Sequence, residues 1–381
     1  MRRWMLLVTL AATALPALAA QRETVAELQQ FLTAQDAAHK SDGSIADHLG
    51  EMELSEQLTE PTLDRITAVL KLQKKTAQAL QLLADQSAFL EPPAGEIPAK
   101  STPEMAEQVR LIQGAVDFAS VTIEKMPDFL ATRTTHTFDN SVLSMTPDAS
   151  RVGFVAGGPL HANGEYSRQI TYRAGAEVSV DAAVAPDKQE KHSAAPQGLT
   201  STGEFGPFLQ IILSDSAKGQ VVWSHWEQTR TGLAAVFRYQ VPQEASHYTV
   251  DFCCVLIVAH PPATGGKVPT KGEVSLTHFH GYPGYHGYLY LDSETGAVLR
   301  VTLEADFVVS GSPPRLGEWV EYGMVKIGER DYLCPVRSTA FTHLFPWRVG
   351  EPGFMNLNEV TFTNYHRFGS TARILAAPPE P

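Results

Sequence analysis

The spacing of apolar residues along this chain changes once, near Asp128, and the change divides it in two. Between residues 24 and 90 hydrophobic positions recur every three or four residues, the period of helices with one buried face. Thr24 followed three positions later by Glu27 fits a capping box, and it opens a stripe of Val25, Leu28, Phe31 and Leu32. The run SDGS at 41–44 breaks that helix. Three further amphipathic pieces follow, carrying Ile45, Leu49 and Met52, then Leu63, Ile66, Val69 and Leu70, then Ala77, Leu80, Leu83 and Ala84. Residues 21–90 are therefore expected to form a small helical bundle. EPPAGEIPAKSTPE, residues 91–104, holds too much proline for a helix interior or a central strand and reads as a linker. A longer helix is predicted to open at Thr102 and Pro103, with Met105, Val109, Ile112, Val116, Ala119 and Ile123 as its apolar stripe and Pro127 as its stop.

Beyond Asp128 the period falls to 2. Leu233, Ala235, Phe237, Tyr239 and Val241 alternate cleanly, as do Leu289 and Leu291, then Leu299, Val301 and Leu303, and finally Val360 and Phe362. DSETG at 292–296 and GER at 328–330 are turn sequences between such runs, which predicts antiparallel hairpins. One helical pattern interrupts the strands, with Phe205, Phe208, Leu209 and Ile212 at helical spacing. The expected fold class is α+β: an N-terminal helical bundle followed by a curved antiparallel half-barrel sheet wrapped around a helix, the second domain spanning 105–375. Residues 186–202 and 260–273 are expected to be surface loops.

Composition adds a compartment. Arg2 and Arg3, an apolar run from Trp4 to Leu15 and small residues at Ala17 and Ala19 match a secretory signal over residues 1–20, which places the mature chain in the periplasm or outside the cell. The net charge is −12, and loss of the two leader arginines makes it more negative. That balance argues against nucleic acid as a partner, because phosphate binding needs clustered Lys and Arg. In an oxidising compartment the three cysteines, Cys253, Cys254 and Cys334, suggest a disulfide from Cys334 to one of the neighbouring pair, leaving one thiol free.

Four segments carry a resemblance. TGEFGPFLQIIL, YHGYLYLDSETGAVLRVTLEAD, VEYGMVKIGERDYLCPVRS and LNEVTFTNYHRF together resemble a group of uncharacterised secreted bacterial proteins over roughly residues 105–375. The two hairpin sequences also look like the half-barrel of the lipoprotein-localisation carriers and of the periplasmic anti-sigma-factor regulator that shares their fold. That resemblance implies an open, curved sheet plugged by helices, with a concave apolar face that receives acyl chains or a lipoprotein. Segment 24–90 has no counterpart in the carriers.

Phe208, Ile212, Phe237, Tyr239, Leu299, Val301, Leu303 and Phe362 are accordingly the candidate ligand-binding residues, with an apolar ligand, a lipoprotein or an envelope protein as partner and no cofactor. The expected activity is non-enzymatic binding. Two alternatives stand beside it. His278, His280 and His286 in THFHGYPGYHGYLYLDSETG could give a metal-dependent hydrolase three imidazole ligands, although the glycine-rich backbone there suits a loop feeding a hairpin. The helical bundle could instead be a protein-interaction element on a scaffold. Trp223 and Trp226, three apart, should lie on opposite sides of an extended strand and pack as core rather than as one sugar-stacking platform.

Overall fold

The computed structural model describes residues 22–145, 152–178, 198–258, 274–307, 314–344 and 353–367. The expected signal segment, most of the 186–202 loop and the 260–273 loop fall outside these residues.

The capping box forms as the sequence requires. Thr24 Oγ1 accepts from Glu27 N at 3.2 Å and Glu27 Oε2 accepts from Thr24 N at 2.8 Å, starting α1 (Val25–Ala37). Ser41 caps α2 (Asp42–Glu51) through Ser44 N. Helices α3 (Glu60–Leu70) and α4 (Lys74–Ser87) complete the bundle, and Asp42 ties two of them together by accepting from Thr76 N and Oγ1. Its core joins Leu28, Leu32, Leu49, Leu63, Ile66 and Leu80.

Helix α5 (Met105–Asp117) continues as a π-helical turn, Phe118–Thr122. The stripe it buries is the predicted one only in part, at Ile112, Ala119 and Ile123. Leu111, Ala115, Phe118, Ala119 and Ile123 enter the core, whereas Met105 is 70 % and Val109 59 % exposed and Val116 is also exposed. The reason lies at Gly114: a Cβ there would collide with Thr295 O, and one on Gly296 (φ +76°) would collide with Leu111 O. Only the helix face bearing Gly114 can approach the turn that closely, so that face turns inward.

The strands follow as β1 (Phe129–Met145), β2 (Val152–Arg173) and β3 (Ala176–Val178), then α6 (Pro207–Ser216). After α6 come β4 (Gln220–Thr229), β5 (Gly232–Val241), β6 (Val250–Val258), β7 (Val274–Gly281), β8 (Gly284–Asp292) and β9 (Val298–Asp306). The chain closes with β10 (Arg315–Ile327), β11 (Arg330–Leu344) and β12 (Phe354–Arg367). Ten of these form one curved, open antiparallel sheet in the order β3-β2-β1-β12-β11-β10-β9-β8-β5-β4, and β6 pairs with β7 separately. The protein is thus α+β, with the sheet wrapped around α6. DSETG and GER make the β8–β9 and β10–β11 hairpins as expected.

Both faces of the sheet are covered over its middle strands. On the concave side α5, its π-helical extension and α6 pack against β5, β8, β9 and β10 in one cluster. The bundle sits against the convex side, where Leu82 meets Phe138, Phe341 and Leu357, and Gly317 leaves room for the Phe89 ring. Buried arginines finish this joint. Arg337 lies 2.6 Å from Asp85 and 2.7 Å from Glu359, and Arg300 pairs with Glu60 while facing Glu227 at 4.0 Å. Among the described residues no helix is long and apolar enough to cross a membrane.

The cysteine expectation is corrected. Cys334 is a buried free thiol whose Sγ lies 3.5 Å from Met126 Sδ. Sequence separation had suggested a staple, but Cys334 stands on the concave face among Met126, Tyr322 and Tyr365, and burial pushes its pKa up to about 12. The side chains of Cys253 and Cys254 are outside the described set.

Candidate functional site

Seven of the eight candidate ligand residues meet on the concave face. Phe208 and Ile212 descend from α6 onto Phe237 and Tyr239 of β5, Val301 and Leu303 of β9, and Phe362 of β12. Ile212, Val301 and Leu303 are 0 % exposed, so no water-sized space adjoins them. Leu299 is the exception and lies on the opposite face with Val236, Tyr288 and Tyr290. Between Tyr290 and Leu291 the β8–β9 register slips, pairing Tyr290 with Arg300 but Leu291 with Val298. Leu299 is the extra residue of a bulge, and Val298 takes its place inside. A second bulge, at Trp223/His225 in β4, corrects the tryptophan geometry. It brings both indoles to one face, 5.0 Å apart and edge to face, with Lys100 Nζ 3.7 Å from the Trp226 ring centre. Trp226 is nevertheless core, donating from Nε1 to Ser101 O at 2.8 Å.

Toward β11, β12 and β1 the concave face becomes polar, and here the chain lies across it. Residues 198–204, which begin in the described part (198–202) of the expected loop, form a strap leading into α6. It is buried at Gly198, Leu199, Ser201 and Glu204 rather than exposed. Side chains of the sheet satisfy its main chain: Leu199 N donates to Thr342 Oγ1 at 2.9 Å, Asn358 Nδ2 donates to Leu199 O at 2.7 Å, and Arg133 Nη2 donates to Ser201 O at 2.7 Å. Glu204 then inserts beside Arg133 (3.0 Å) and accepts from Ser201 Oγ at 2.7 Å and Ser338 Oγ at 3.0 Å.

Glu318 lies in the same trough, in phase with Leu316, Val320 and Tyr322 on β10. Burial first, and then the nearby Glu204 carboxylate, hold its pKa well above the usual carboxylate range. It accepts from Tyr248 OH at 3.3 Å, while its Oε1 has no partner. Tyr248 packs edge-on to Tyr285, whose hydroxyl donates to Asp215 at 2.8 Å, and Asp215 also accepts from His247 N at 2.8 Å. Asp215 thereby fastens the end of α6 to the 246–248 turn.

The histidines of the glycine-rich stretch are divided between two sheets. His280, on β7, faces Asp251 at 3.3 Å, and His286, on β8, faces Asp306 at 2.8 Å. The Asp306 hydrogen bond raises the His286 pKa. The His278 side chain is outside the described set, and among the described residues no group of three His, Cys, Asp or Glu side chains could hold a metal. Asp292 serves the turn itself, accepting from Thr295 N at 2.8 Å and Thr295 Oγ1 at 2.7 Å.

Two constellations were missed by the sequence reading. Ser224 Oγ lies 2.9 Å from His225 Nδ1, and His225 Nε2 lies 3.3 Å from Glu227, an order that suggests a nucleophile, base and acid. Glu227, however, faces Arg300 and Gln57 under the bundle, so its position is explained by the joint. The other is the Arg133–Glu204–Glu318 trough. Arg133 and Glu318 stand in phase with apolar neighbours on their strands, and that phase is the signal that could have found them.

Fold and site together define an α+β protein in which an open, curved antiparallel sheet encloses its own helices and carries a helical bundle on its back. No family model, no curated protein and no solved structure matches the chain.

Proposed function

We propose that this is an exported, non-enzymatic binding protein whose ligand is another polypeptide of the cell envelope. The observation that supports a polypeptide over an acyl chain is the packing of the concave face. An acyl chain covering about 300 Å² would gain on the order of 7 kcal/mol, but only against apolar surface that is free to receive it. Ile212, Val301 and Leu303 have none. The cavities of about 30 and 40 Å³ at the bundle–sheet joint have room for a few waters at most, and their walls include Arg300, Arg337 and His343. Binding therefore falls to surfaces that offer hydrogen bonds and shape, as a polypeptide requires.

The test has two arms on purified full-length protein. Native mass spectrometry with titration of a fluorescent fatty acid should show no bound lipid and no uptake. Photo-crosslinking in intact cells, from residues replaced one at a time over the exposed surface, should give a discrete protein adduct that untagged protein competes away. Stoichiometric lipid, or crosslinks spread evenly over the surface without competition, would overturn the reading.

A further inference from the structure

The strap is held in an unusual way for a connecting segment. A loop that merely joins two elements is satisfied by water or by its own turns. Here the amide and carbonyl of Leu199 and the carbonyl of Ser201 are each met by a side chain from a different strand: Thr342 of β11, Asn358 of β12 and Arg133 of β1. Tyr322 OH, from β10, adds a bond to Glu204 O at 3.2 Å. Four adjacent strands thus offer side-chain groups to the main chain of one segment, bounded by Gly198 (φ +73°) and Gly203 (φ +76°), with a buried arginine placed for its acidic end. This is how grooves recognise peptides.

The strap also leaves part of the trough unused. The Thr202 amide of the strap reaches the Glu318 carboxylate, yet Glu318 Oε1 and, opposite Asn358 on β1, Thr137 Oγ1 stay buried without a hydrogen-bond partner. Buried polar atoms are rarely left unmet, and an occupant that fitted the trough fully would meet them. Thr202, in the middle of the strap, is exposed, so the occupant's outer side is open to solvent.

We propose that the trough formed by β10, β11, β12 and β1 is a peptide-binding groove, occupied in cis by residues 198–204, and that an acidic segment of a partner polypeptide takes it by displacing the strap. The strap itself defines the chemistry of the occupant: small and hydroxyl-bearing residues, then a glycine able to take positive φ, then a glutamate that reaches Arg133. This rests on the polypeptide-binding reading and adds its site. Lipid uptake would sink that reading without bearing on strap exchange. A strap that never opens would leave a polypeptide partner to another surface.

The experiment loosens the strap and leaves the trough intact. Full-length protein carrying Ser201→Ala and Glu204→Gln is titrated against a fluorescein-labelled peptide with the sequence of residues 198–206, GLTSTGEFG, followed by anisotropy. The loosened protein should bind it at least roughly tenfold more tightly than wild type. Binding should be lost when the peptide carries Gln in place of its Glu, and lost when Arg133→Met is added to the protein. A loosened protein that keeps its near-ultraviolet dichroism yet takes no peptide would overturn the proposal, as would binding that survives loss of Arg133. If the double variant does not fold, hydrogen exchange of the wild type decides. The Leu199 and Thr202 amides should exchange through a local opening at least roughly a hundredfold faster than those of Val301 and Leu303, and equal rates would end the proposal.

Discussion

Replacing Arg300 by methionine should loosen the whole molecule, because Arg300 is where the bundle is locked to the sheet. Its side chain is 8 % exposed and lies between Glu60 of α3 and Glu227 of β4, at 13 % and 4 % exposure. The guanidinium also stacks over Tyr290, 5.0 Å from the ring centre. Methionine keeps most of the volume but leaves two carboxylates facing each other in a site that water barely reaches. Removing one member of such a buried set costs about 3–5 kcal/mol, most of it from the charges left behind. Arg230 provides the control. It makes a bidentate pair with Asp64 at 2.9 and 2.8 Å across the same joint, but the two side chains are about half exposed, 45 % and 53 %. Solvent screening limits such a pair to roughly 1 kcal/mol or less. Urea unfolding followed by tryptophan fluorescence, with limited proteolysis of the 91–104 linker, should therefore separate the two variants by at least about 2 kcal/mol. Arg300→Met should also be cut in the linker under conditions where Arg230→Met and wild type resist. Equal stabilities would show that the joint does not depend on its buried charges.

Three further outcomes follow from single sites. Ile212→Ala, made where α6 fills the half-barrel, should cost about 2–5 kcal/mol in urea unfolding, and a loss below about 1 kcal/mol would show that α6 does not pack the sheet. Glu318 has its pKa raised by burial, so folding takes up a proton above the unfolded pKa and stability falls as pH rises through that range. Glu318→Gln removes this slope. Its stability relative to wild type should improve by up to about 1.4 kcal/mol per pH unit above pH 5, read from urea midpoints across pH, and parallel profiles would contradict the assignment. Cys334 should not react with a thiol reagent in the native protein and should react fully once urea unfolds it, since the thiol is both buried and held protonated.

What could be read from the chain was its periodicity, and what could not be read was where the periodicity skips. The capping box at Thr24, the bundle core, the change at Asp128, the DSETG and GER hairpins and the α6 plug all follow from local rules, and the structure carries each of them. Leu299 and the Trp223–Trp226 pair went astray for one shared reason. Each sits at a bulge, and a single extra residue inverts which side of the sheet everything beyond it faces. On helix α5 the predicted stripe and the buried face share only Ile112, Ala119 and Ile123, and the close approach of Gly114 to Gly296, distant in sequence, sets which face turns inward. The strap looked like a loop because small polar residues usually seek water. Its burial depends on partners contributed by four strands, which no local window contains. Arg133 and Glu318 were within reach, since charged residues in phase with an apolar face must be paired or neutral.

A sheet covered on both faces over its middle strands still has edges, and here they differ. At one end β3 pairs only with Thr171–Arg173 of β2. Among the described residues the outer side of β2 before Thr171 has no strand beside it, while its inner side pairs with β1 without interruption from Gly164 to Tyr172. An open edge is a ready partner for an extended chain and useless to a lipid. Proline substitution can tell whether that edge is used, because antiparallel strands point successive N–H groups alternately to either side. Of Ser167→Pro and Arg168→Pro, one must break the ladder to β1 and the other must remove an outward-facing donor, each also losing one surface contact, Ser167 Oγ to Thr134 Oγ1 at 2.9 Å or Arg168 to Glu177 at 3.7 Å. The first should lower the unfolding midpoint, and the second should leave it nearly unchanged. If the edge contributes to partner capture, the second variant should lose its competed crosslinks while keeping its fold. Full crosslinking by that variant would confine recognition to the trough and the remaining surface, because main-chain pairing along β2 cannot tolerate a missing donor at its centre.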